Sequence, residues 1–419
     1  MRLWPRWVGA ACVALAAAMG CDDRPEGAPG SPIARASGAP MSTPSARGAA
    51  VDGAARVVVH SSARCGECHG ALLADWQASG HARAARSPRF VAERARAADP
   101  ASCDRCHAPL AAFGHVSAAV RDEGVGCEVC HSLTAVDGSK APPTMTYEFG
   151  AREKRGSRCD GSPPYFHGVR CSPLHASSAV CEGCHSLTAG TAERPIPVLT
   201  EHADWRAAGA EVECQYCHFR GRSARLVVGE APRRGVATHH TAVELDGARD
   251  HGVELSLRGV RAPDALEVTL TVANLGAGHA LPAGLPGRRL VVELRTEDPA
   301  GAPLGRHEAV FTRRVGSEAG EERPFYEATH LLEDTRLAAG ESRVVRARLG
   351  ASPGASLRVT LRAEDLGAEV AAQLGARPTV DLLQEQVWVI PRGTGPWRPS
   401  TQLTARPRGV IAARVRGDR

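Results

Sequence analysis

Aromatic residues are scarce in this sequence, since Phe, Trp and Tyr together make up only 4% of its 419 residues. A chain of that length can form two or three domains, each with its own apolar core. Such cores normally contain more aromatic side chains. The shortage indicates that something other than aromatic side chains fills part of the interior.

Lysine is also nearly absent, with Lys140 and Lys154 the only two among 51 basic residues. Such an excess of arginine over lysine reflects the composition of the genome. It therefore says little about binding partners. The formal net charge is only +5. We therefore expect neither a nucleic-acid partner nor a strongly acidic one.

The N-terminal apolar run, residues 7–20, is too short to span a bilayer. Arg2 and Arg6 precede it and small residues end it, which predicts an export signal over residues 1–20. The sequence AMGC that ends at Cys21 resembles a bacterial lipobox, with alanine where leucine is common. It predicts an acylated Cys21 as a membrane anchor. An ordinary signal peptide with an incidental cysteine is the alternative.

A five-residue motif, Cys-x-x-Cys-His, occurs five times. Two thiols about one helical turn apart can reach the two vinyl groups of a single haem and form thioether bonds, and the adjacent histidine then binds the iron. The haem-attaching cysteines would be Cys65, Cys68, Cys103, Cys106, Cys127, Cys130, Cys181, Cys184, Cys214 and Cys217. The proximal iron ligands would be His69, His107, His131, His185 and His218.

Cys-x-x-Cys also occurs in zinc ribbons and redox dithiols, but neither needs a histidine directly afterwards. Histidine accounts for 17 of the 419 residues, so five chance occurrences at this position are very improbable. Export would also place the chain where haem is attached covalently and where thiols are oxidised or ligated. The sequence therefore predicts five covalently bound haem c groups.

Cys159 and Cys171 remain outside these motifs. Ser172 follows Cys171, so the pair lacks an adjacent histidine and does not resemble a haem site with a long spacer. We predict a disulfide between the two cysteines, because thiols in an oxidising compartment tend to be oxidised. Two free buried thiols are the alternative.

The chain divides by composition into a tether and two domains. Residues 21–56 are rich in Gly, Pro, Ala and Ser without apolar periodicity, which predicts a flexible tether. Residues 57–245 contain the motifs and short helical stretches such as 87–98, which predict an α-helical, loop-rich multihaem domain. Residues 246–395 predict an antiparallel β-sandwich domain, and residues 396–419 a tail.

Alternating apolar and polar residues support the β-sandwich prediction. They occur at residues 266–272, 290–294, 344–349 and 357–361, with turn residues between them. One helix is expected around residues 364–374.

Two internal repeats lie among the motifs. CEVCHSLTA at residues 127–135 recurs as CEGCHSLTA at residues 181–189. ADWQASG at residues 74–80 returns more loosely as ADWRAAG at residues 203–209. Duplicated haem-binding units would leave such a trace.

Sequences around several of the motifs resemble those of a known family. CGECH at residues 65–69, followed by WQASGHA at residues 76–82, resembles the first haem unit of the cytochrome c-554 and hydroxylamine oxidoreductase group. GVGC at residues 124–127 and the Asp204-Trp205 pair are similar too. NLGAGHALP at residues 274–282 resembles a stretch of the β-domains attached to such cytochromes.

The resemblance covers most of residues 57–390 and implies electron transfer, with a minority of relatives acting as multihaem oxidoreductases. No Cys-x-x-Cys-Lys occurs, although that variant marks the catalytic haem of many nitrite reductases. The sequence thus argues against an ammonia-forming nitrite reductase.

Each iron has a sixth coordination position. A second histidine there gives a low-spin site suited to electron exchange, whereas an open position permits substrate binding. His81 is the first choice because it follows the first haem unit and matches the family motif. His167, His175, His240 and His279 come next. The other histidines outside the motifs are His60, His115, His202, His239, His251, His307 and His330, of which we read His307 and His330 as ordinary side chains.

His279 would reach a haem from the β-domain. Gly276 and Gly278 permit a tight turn and close approach of the backbone to a flat group, and Pro282 restricts the exit. A glycine-rich surface turn with an incidental histidine is the alternative.

The sequence therefore predicts an electron carrier rather than a catalyst: a five-haem cytochrome of the periplasm or outer cell envelope, anchored through Cys21 and served by redox partner proteins. The alternative is a multihaem oxidoreductase that acts on a small nitrogen or sulfur compound at one haem with an open position. A further possibility is that the β-domain docks the cytochrome to a partner.

Overall fold

The structure is a computed structural model. It describes residues 45–46, 59–113, 116–150, 152–159, 166–240 and 252–397. We call residues 59–240 the cysteine-rich half and residues 252–397 the β-rich half. Both belong to one compact unit, Ser37–Arg419. The predicted export signal, Cys21, most of the tether and residues 398–419 lie outside the described residues.

Short helices dominate the cysteine-rich half. In chain order, α1 to α11 are Ser62–Gly66, Gly70–Gln77, Gly80–Arg83, Pro88–Arg96, Pro100–His107, Ala118–Arg121, Cys127–His131, Pro173–Ala176, Ala179–His185, Glu201–Ala207 and Cys214–His218. A 3-10 helix covers Pro109–Phe113. Within the described residues, no helix is long and apolar enough to cross a membrane.

Local sequence explains where these helices begin. The Ser87 hydroxyl accepts a hydrogen bond from the Phe90 amide, and Pro88 occupies the first helical position of α4. Asp99 and Pro100 begin α5 in the same way. The helix predicted at residues 87–98 is therefore confirmed as α4.

Small two- and three-stranded sheets connect the helices. In chain order, β1 to β9 are Ser45–Ala46, Leu133–Asp137, Thr144–Tyr147, Glu153–Gly156, Gly168–Cys171, Leu187–Gly190, Pro195–Leu199, Gly221–Ala224 and Arg233–Ala237. The longer sequence repeat gives the same unit twice, because α7 continues into the β2–β3 hairpin and α9 into the β6–β7 hairpin. Beside the parallel β4–β5 pair, Cys159 and Cys171 form a disulfide, as predicted.

The β-rich half consists of two antiparallel sheets. In chain order, β10 to β18 are Val253–Arg261, Ala265–Asn274, Arg289–Glu297, Pro303–Gly316, His330–Asp334, Ser342–Gly350, Ser356–Glu364, Val380–Val389 and Gly395–Trp397. One sheet has the order β15-β11-β10-β18 and the other β14-β13-β12-β16-β17. Helix α12, Ala368–Leu374, lies between β16 and β17, where the sequence predicts a helix.

One apolar cluster draws on both sheets. Leu266 and Leu270 of β11, Leu294 of β12 and Leu357 of β16 belong to it and are fully buried. Their alternation with more exposed neighbours reflects the two-residue period of a strand. The predicted order, a helical, loop-rich part followed by antiparallel strands, is thus confirmed.

Candidate haem-binding sites

Cys-x-x-Cys-His motifs fall on or at the end of five helices, α1, α5, α7, α9 and α11. The helical turn sets the two cysteines of a motif side by side, as thioether bonding to one haem requires. Thiols of different motifs also lie beside each other: Cys65 beside Cys127, Cys106 beside Cys184, and Cys181 beside Cys214. The attachment points of neighbouring motifs are therefore close together.

Proximal histidines are oriented by backbone carbonyl groups. His69 Nδ1 lies 2.7 Å from the carbonyl oxygen of Leu226, and His131 Nδ1 lies 2.5 Å from that of Arg155. A carbonyl oxygen only accepts, so Nδ1 carries the hydrogen and Nε2 presents its lone pair. Metal-binding histidines are usually oriented in this way.

Four of the five proximal histidines have a second imidazole facing them at a similar distance. The separations of ring centres are 5.9 Å for His69–His167, 6.3 Å for His185–His81, 6.2 Å for His131–His239, 6.3 Å for His131–His175 and 6.3 Å for His218–His279. The partners in each pair lie far apart in the sequence, so only the fold brings them together.

These separations fit one iron between two imidazoles. A metal–imidazole bond is about 2 Å long and the nitrogen lies about 1 Å from the ring centre, so two imidazoles on one iron have ring centres about 6 Å apart. Phe90 and His107, which stack directly on each other, have ring centres only 4.3 Å apart. The donor set and its spacing therefore suit haem iron with two histidine ligands.

His131 has two such neighbours, His175 and His239. They differ in which of their ring nitrogens are hydrogen-bonded. Both ring nitrogens of His175 are hydrogen-bonded: Nδ1 lies 2.8 Å from the Ser172 hydroxyl, and Nε2 lies 2.7 Å from the Cys130 carbonyl oxygen. His239 engages Nδ1 with the Ala237 carbonyl oxygen at 3.1 Å. Because Nδ1 of His239 must donate to that carbonyl, its Nε2 carries the lone pair that a metal needs.

Burial favours the neutral, ligating form of these side chains. It lowers the pKa of His81 to about 4 and that of His131 to about 4. Burial also lowers the pKa of His107 and His239. A neutral imidazole at pH 7 has a lone pair available without losing a proton first.

The remaining histidines outside the motifs include the predicted ligand His240. His240 follows His239 directly, but His239 makes the ring contact with His131. His202 is buried beside Glu182, with 3.3 Å between Nδ1 and the carboxylate. His60 contacts Phe166, and His330 contacts Arg194. His115 and His251 lie outside the described residues.

His107 differs from the other proximal histidines in its ring neighbour. Its imidazole is stacked on Phe90, with 13° between the ring planes, and its Nδ1 lies 3.1 Å from the Ala84 carbonyl oxygen. Phe90 belongs to α4, so this helix braces the α5 motif from one side.

A loop of the β-rich half brings His279 to His218. Buried Asn274 holds this loop, since its Nδ2 donates to the His279 carbonyl oxygen at 2.9 Å and its Oδ1 accepts from the Ala277 amide at 3.2 Å. A Cβ at Gly278 would lie 3.4 Å from both Trp205 and Ala210 of the cysteine-rich half. This is ordinary van der Waals distance, so the loop lies against the cysteine-rich half at Gly278.

Further contacts join the two halves around this loop. The Ala280 amide donates to Asp204 at 3.4 Å, and the same carboxylate pairs with Arg336 at 3.3 Å. Arg313 is only 1% exposed and donates to the Val198 carbonyl oxygen at 2.6 Å. Polar contacts between the two halves therefore hold the loop that carries His279, which is not an isolated surface turn.

Residue His239 is the candidate that sequence reasoning passed over. Its signal is the pair of adjacent histidines, 239 and 240, directly after β9. In the structure His239 Nδ1 lies 3.1 Å from the Ala237 carbonyl oxygen, and the His239 ring faces that of His131.

The chain is similar to one protein family and to one solved cytochrome structure. Residues 64–132 match the family model of cytochrome c554 and c-prime, a segment that contains three of the motifs. The fold is similar to that of a penta-heme cytochrome c552 from Thermochromatium tepidum, with a TM-score of 0.63 at 20% identity, over 79% of this chain and 99% of that one. These findings support a multihaem c-type cytochrome with covalently bound haem. Within this class of cytochromes, the chain resembles the cytochrome c554 group.

Another solved structure matches only weakly. A glycosyl hydrolase family 2 member from Bacteroides cellulosilyticus is 14% identical and covers 34% of this chain and 14% of that chain, with a TM-score of 0.18. No curated protein matches the chain significantly.

Proposed function

We propose that this protein transfers electrons through five covalently bound haem c groups in the bacterial cell envelope. The observation that carries the proposal is the set of imidazoles that face four proximal histidines at 5.9–6.3 Å between ring centres. Two histidine ligands, together with the four porphyrin nitrogens, would fill all six positions of a haem iron and leave no open site for substrate. Such iron exchanges electrons without binding or releasing a ligand.

The proposal assigns sixth ligands by these pairs. His167 serves the haem at His69, His81 the haem at His185, and His279 the haem at His218. For the haem at His131 we assign His239 rather than His175, because both nitrogens of His175 are already hydrogen-bonded. The haem at His107 receives no assignment, since the candidate His115 lies outside the described residues.

The β-rich half has a structural role in this proposal. We infer that its two sheets pack face to face as a β-sandwich, which the shared apolar cluster supports. The sandwich provides a rigid base for the loop that carries His279. An iron–imidazole bond there would join the two halves of the chain covalently through the haem.

The cell-envelope location rests on the export signal and on the disulfide between Cys159 and Cys171, since disulfides persist outside the cytoplasm. An acylated Cys21 would hold the protein at a membrane surface. Redox partner proteins would supply and remove electrons, and no nucleic acid is involved.

Electron paramagnetic resonance of the purified ferric protein tests this function. We expect low-spin signals from the haems at His69, His131, His185 and His218, unchanged by added cyanide or azide. The proposal fails if several of these haems are high-spin and bind the added ligand. That outcome would favour the alternative, a multihaem oxidoreductase.

A further inference from the structure

Ser62 ties the first haem motif to the third. It is fully buried at the start of α1, and its hydroxyl accepts a hydrogen bond from the Cys127 amide at 3.0 Å. The same hydroxyl donates to Glu123 at 3.0 Å, and the Ser62 amide donates to the other oxygen of that carboxylate at 2.9 Å. The serine thus links α1 directly to the first residue of α7.

Ser178 makes the same tie between the fourth motif and the fifth. It is 1% exposed, and its hydroxyl accepts from the Cys214 amide at 2.9 Å. Its own amide donates to the Glu213 carboxylate at 2.5 Å. Each serine stands three residues before the first cysteine of its own motif, in SSARC at residues 61–65 and SSAVC at residues 177–181.

A tryptophan completes both arrangements. Trp76 Nε1 donates to the Val125 carbonyl oxygen at 2.8 Å, and Trp205 Nε1 donates to the Val212 carbonyl oxygen at 2.8 Å. Val125 stands two residues before Cys127, and Val212 stands two residues before Cys214. These are the two cysteines whose amides donate to the serines. The looser sequence repeat that contains the two tryptophans therefore has a structural counterpart.

The two copies obtain their carboxylate differently. A Cβ at Gly126, just before Cys127, would lie 2.2 Å from Glu123 and 2.8 Å from the Ser62 hydroxyl, so this position must lack a side chain. In the second copy the residue just before Cys214 is Glu213, which supplies the carboxylate itself. A carboxylate reaches the serine in both copies, although it comes from different sequence positions.

These ties bring like attachment points together. The thiol of Cys65 lies beside that of Cys127, and the thiol of Cys181 lies beside that of Cys214. Each of the four is the first cysteine of its motif, so each binds the corresponding edge of its haem. Two haem edges of the same kind therefore meet at each tie.

We propose that Ser62 and Ser178 are positioning residues that hold two haem pairs edge to edge, the haems at His69 and His131 and the haems at His185 and His218. This inference rests on the proposed electron transfer. A buried hydrogen bond to a backbone amide fixes the distance between helices more firmly than apolar packing does, because breaking it leaves a buried donor unpaired. Fixed, close haem edges are what rapid electron exchange requires.

The test compares Ser62→Ala with Ser61→Ala, and Ser178→Ala with Ser177→Ala. Each control removes a hydroxyl one residue away, which bonds only within its own turn, to the Arg64 amide or to the Leu174 carbonyl oxygen. Electron paramagnetic resonance of the ferric proteins reports magnetic coupling between close haems, and potentiometric titration reports how strongly each haem shifts the potential of its neighbour.

We expect Ser62→Ala to weaken the coupling of the first haem pair alone and Ser178→Ala that of the second pair alone, with both controls unchanged. Intact mass confirms five haems in each variant. If an alanine variant does not mature, Glu123→Gln or Glu213→Gln replaces it, since glutamine keeps the shape of the side chain and weakens the tie. Coupling equal to that of the controls would overturn the inference. Failure of the proposed function itself would appear in the unmodified protein, as missing or high-spin haem.

Discussion

His218 and His279 face each other with 6.3 Å between ring centres and 19° between ring planes, although 60 residues and a change of fold separate them. His218 ends α11 in the cysteine-rich half, and His279 lies in the loop between β11 and β12. His279 Nδ1 lies 3.1 Å from the Ala280 carbonyl oxygen, which directs Nε2 away from that carbonyl. The pair suits one iron shared by the two halves.

His279→Ala should convert one haem from low-spin to high-spin and leave the others unchanged, because the iron at His218 loses its sixth ligand. Electron paramagnetic resonance and the visible absorption spectrum measure this change. His307→Ala is the matched control, since His307 lies on β13 of the same half and contacts no proximal histidine in the described structure. An unaltered spectrum in His279→Ala would return His279 to a structural role and leave the β-rich half as a docking module.

Asn274→Ala should reduce the free energy of unfolding by about 1–3 kcal/mol, because it leaves buried backbone groups unpaired. These groups are the carbonyl oxygen of His279 and the Ala277 amide, whereas the Leu337 carbonyl oxygen keeps its bond from the Leu281 amide. Chemical denaturation followed by circular dichroism gives the change. We also expect part of the haem at His218 to become high-spin, as the loop loses its support. Stability equal to the unmodified protein would show that Asn274 does not hold the loop.

Much of the fold follows from local sequence. The alternation at residues 266–272 predicts the strand that the structure shows as β11, because side chains of a strand point to opposite faces in turn. Ser87 and Pro88 mark the beginning of α4 with a cap and a fixed φ. The attachment motifs are equally local, since both cysteines and the histidine lie within five residues.

The pairing of histidines could not be predicted in this way. His69 and His167 are 98 residues apart, and their separation of 5.9 Å depends on how β5, α1 and the segment after β8 pack. Likewise, the sequence does not show that His239 is the histidine that contacts His131, a contact that only the fold reveals. The sequence shows how many histidines there are, but only tertiary contacts show which of them face each other.

Five haems should be present in the mature protein, because five complete motifs are present. Intact-mass spectrometry and a pyridine haemochrome assay measure the count. Replacing Cys103 and Cys106 by serine should lower it by one, while the remaining motifs keep their haems. Four or fewer haems in fully matured, unmodified protein would contradict the prediction.

Cys21→Ser should release the protein from the membrane fraction, because acyl chains on that cysteine are the predicted anchor. Cell fractionation followed by immunoblotting measures the distribution. Cys12→Ser is the matched control, since Cys12 lies within the predicted export signal but not in the lipobox. If the unmodified protein is already soluble in the periplasm, the lipoprotein prediction is wrong.

His239→Ala should make the haem at His131 high-spin, whereas His175→Ala should leave it low-spin. Both rings lie at the same distance from His131, 6.2 Å and 6.3 Å, so distance does not separate the two candidates. Hydrogen bonding does, because Nε2 of His175 donates to the Cys130 carbonyl oxygen and its Nδ1 accepts from the Ser172 hydroxyl.

Electron paramagnetic resonance of the two variants decides between them, and imidazole added to His239→Ala should restore the low-spin signal by filling the vacated position. His175→Ala should instead lower stability, since it leaves the Cys130 carbonyl oxygen without this donor. The reverse result, a high-spin haem in His175→Ala and an unchanged spectrum in His239→Ala, would transfer the sixth ligand to His175. That histidine would then have to break its bond to Cys130 when haem is attached, and His239 would serve only to pack against His131.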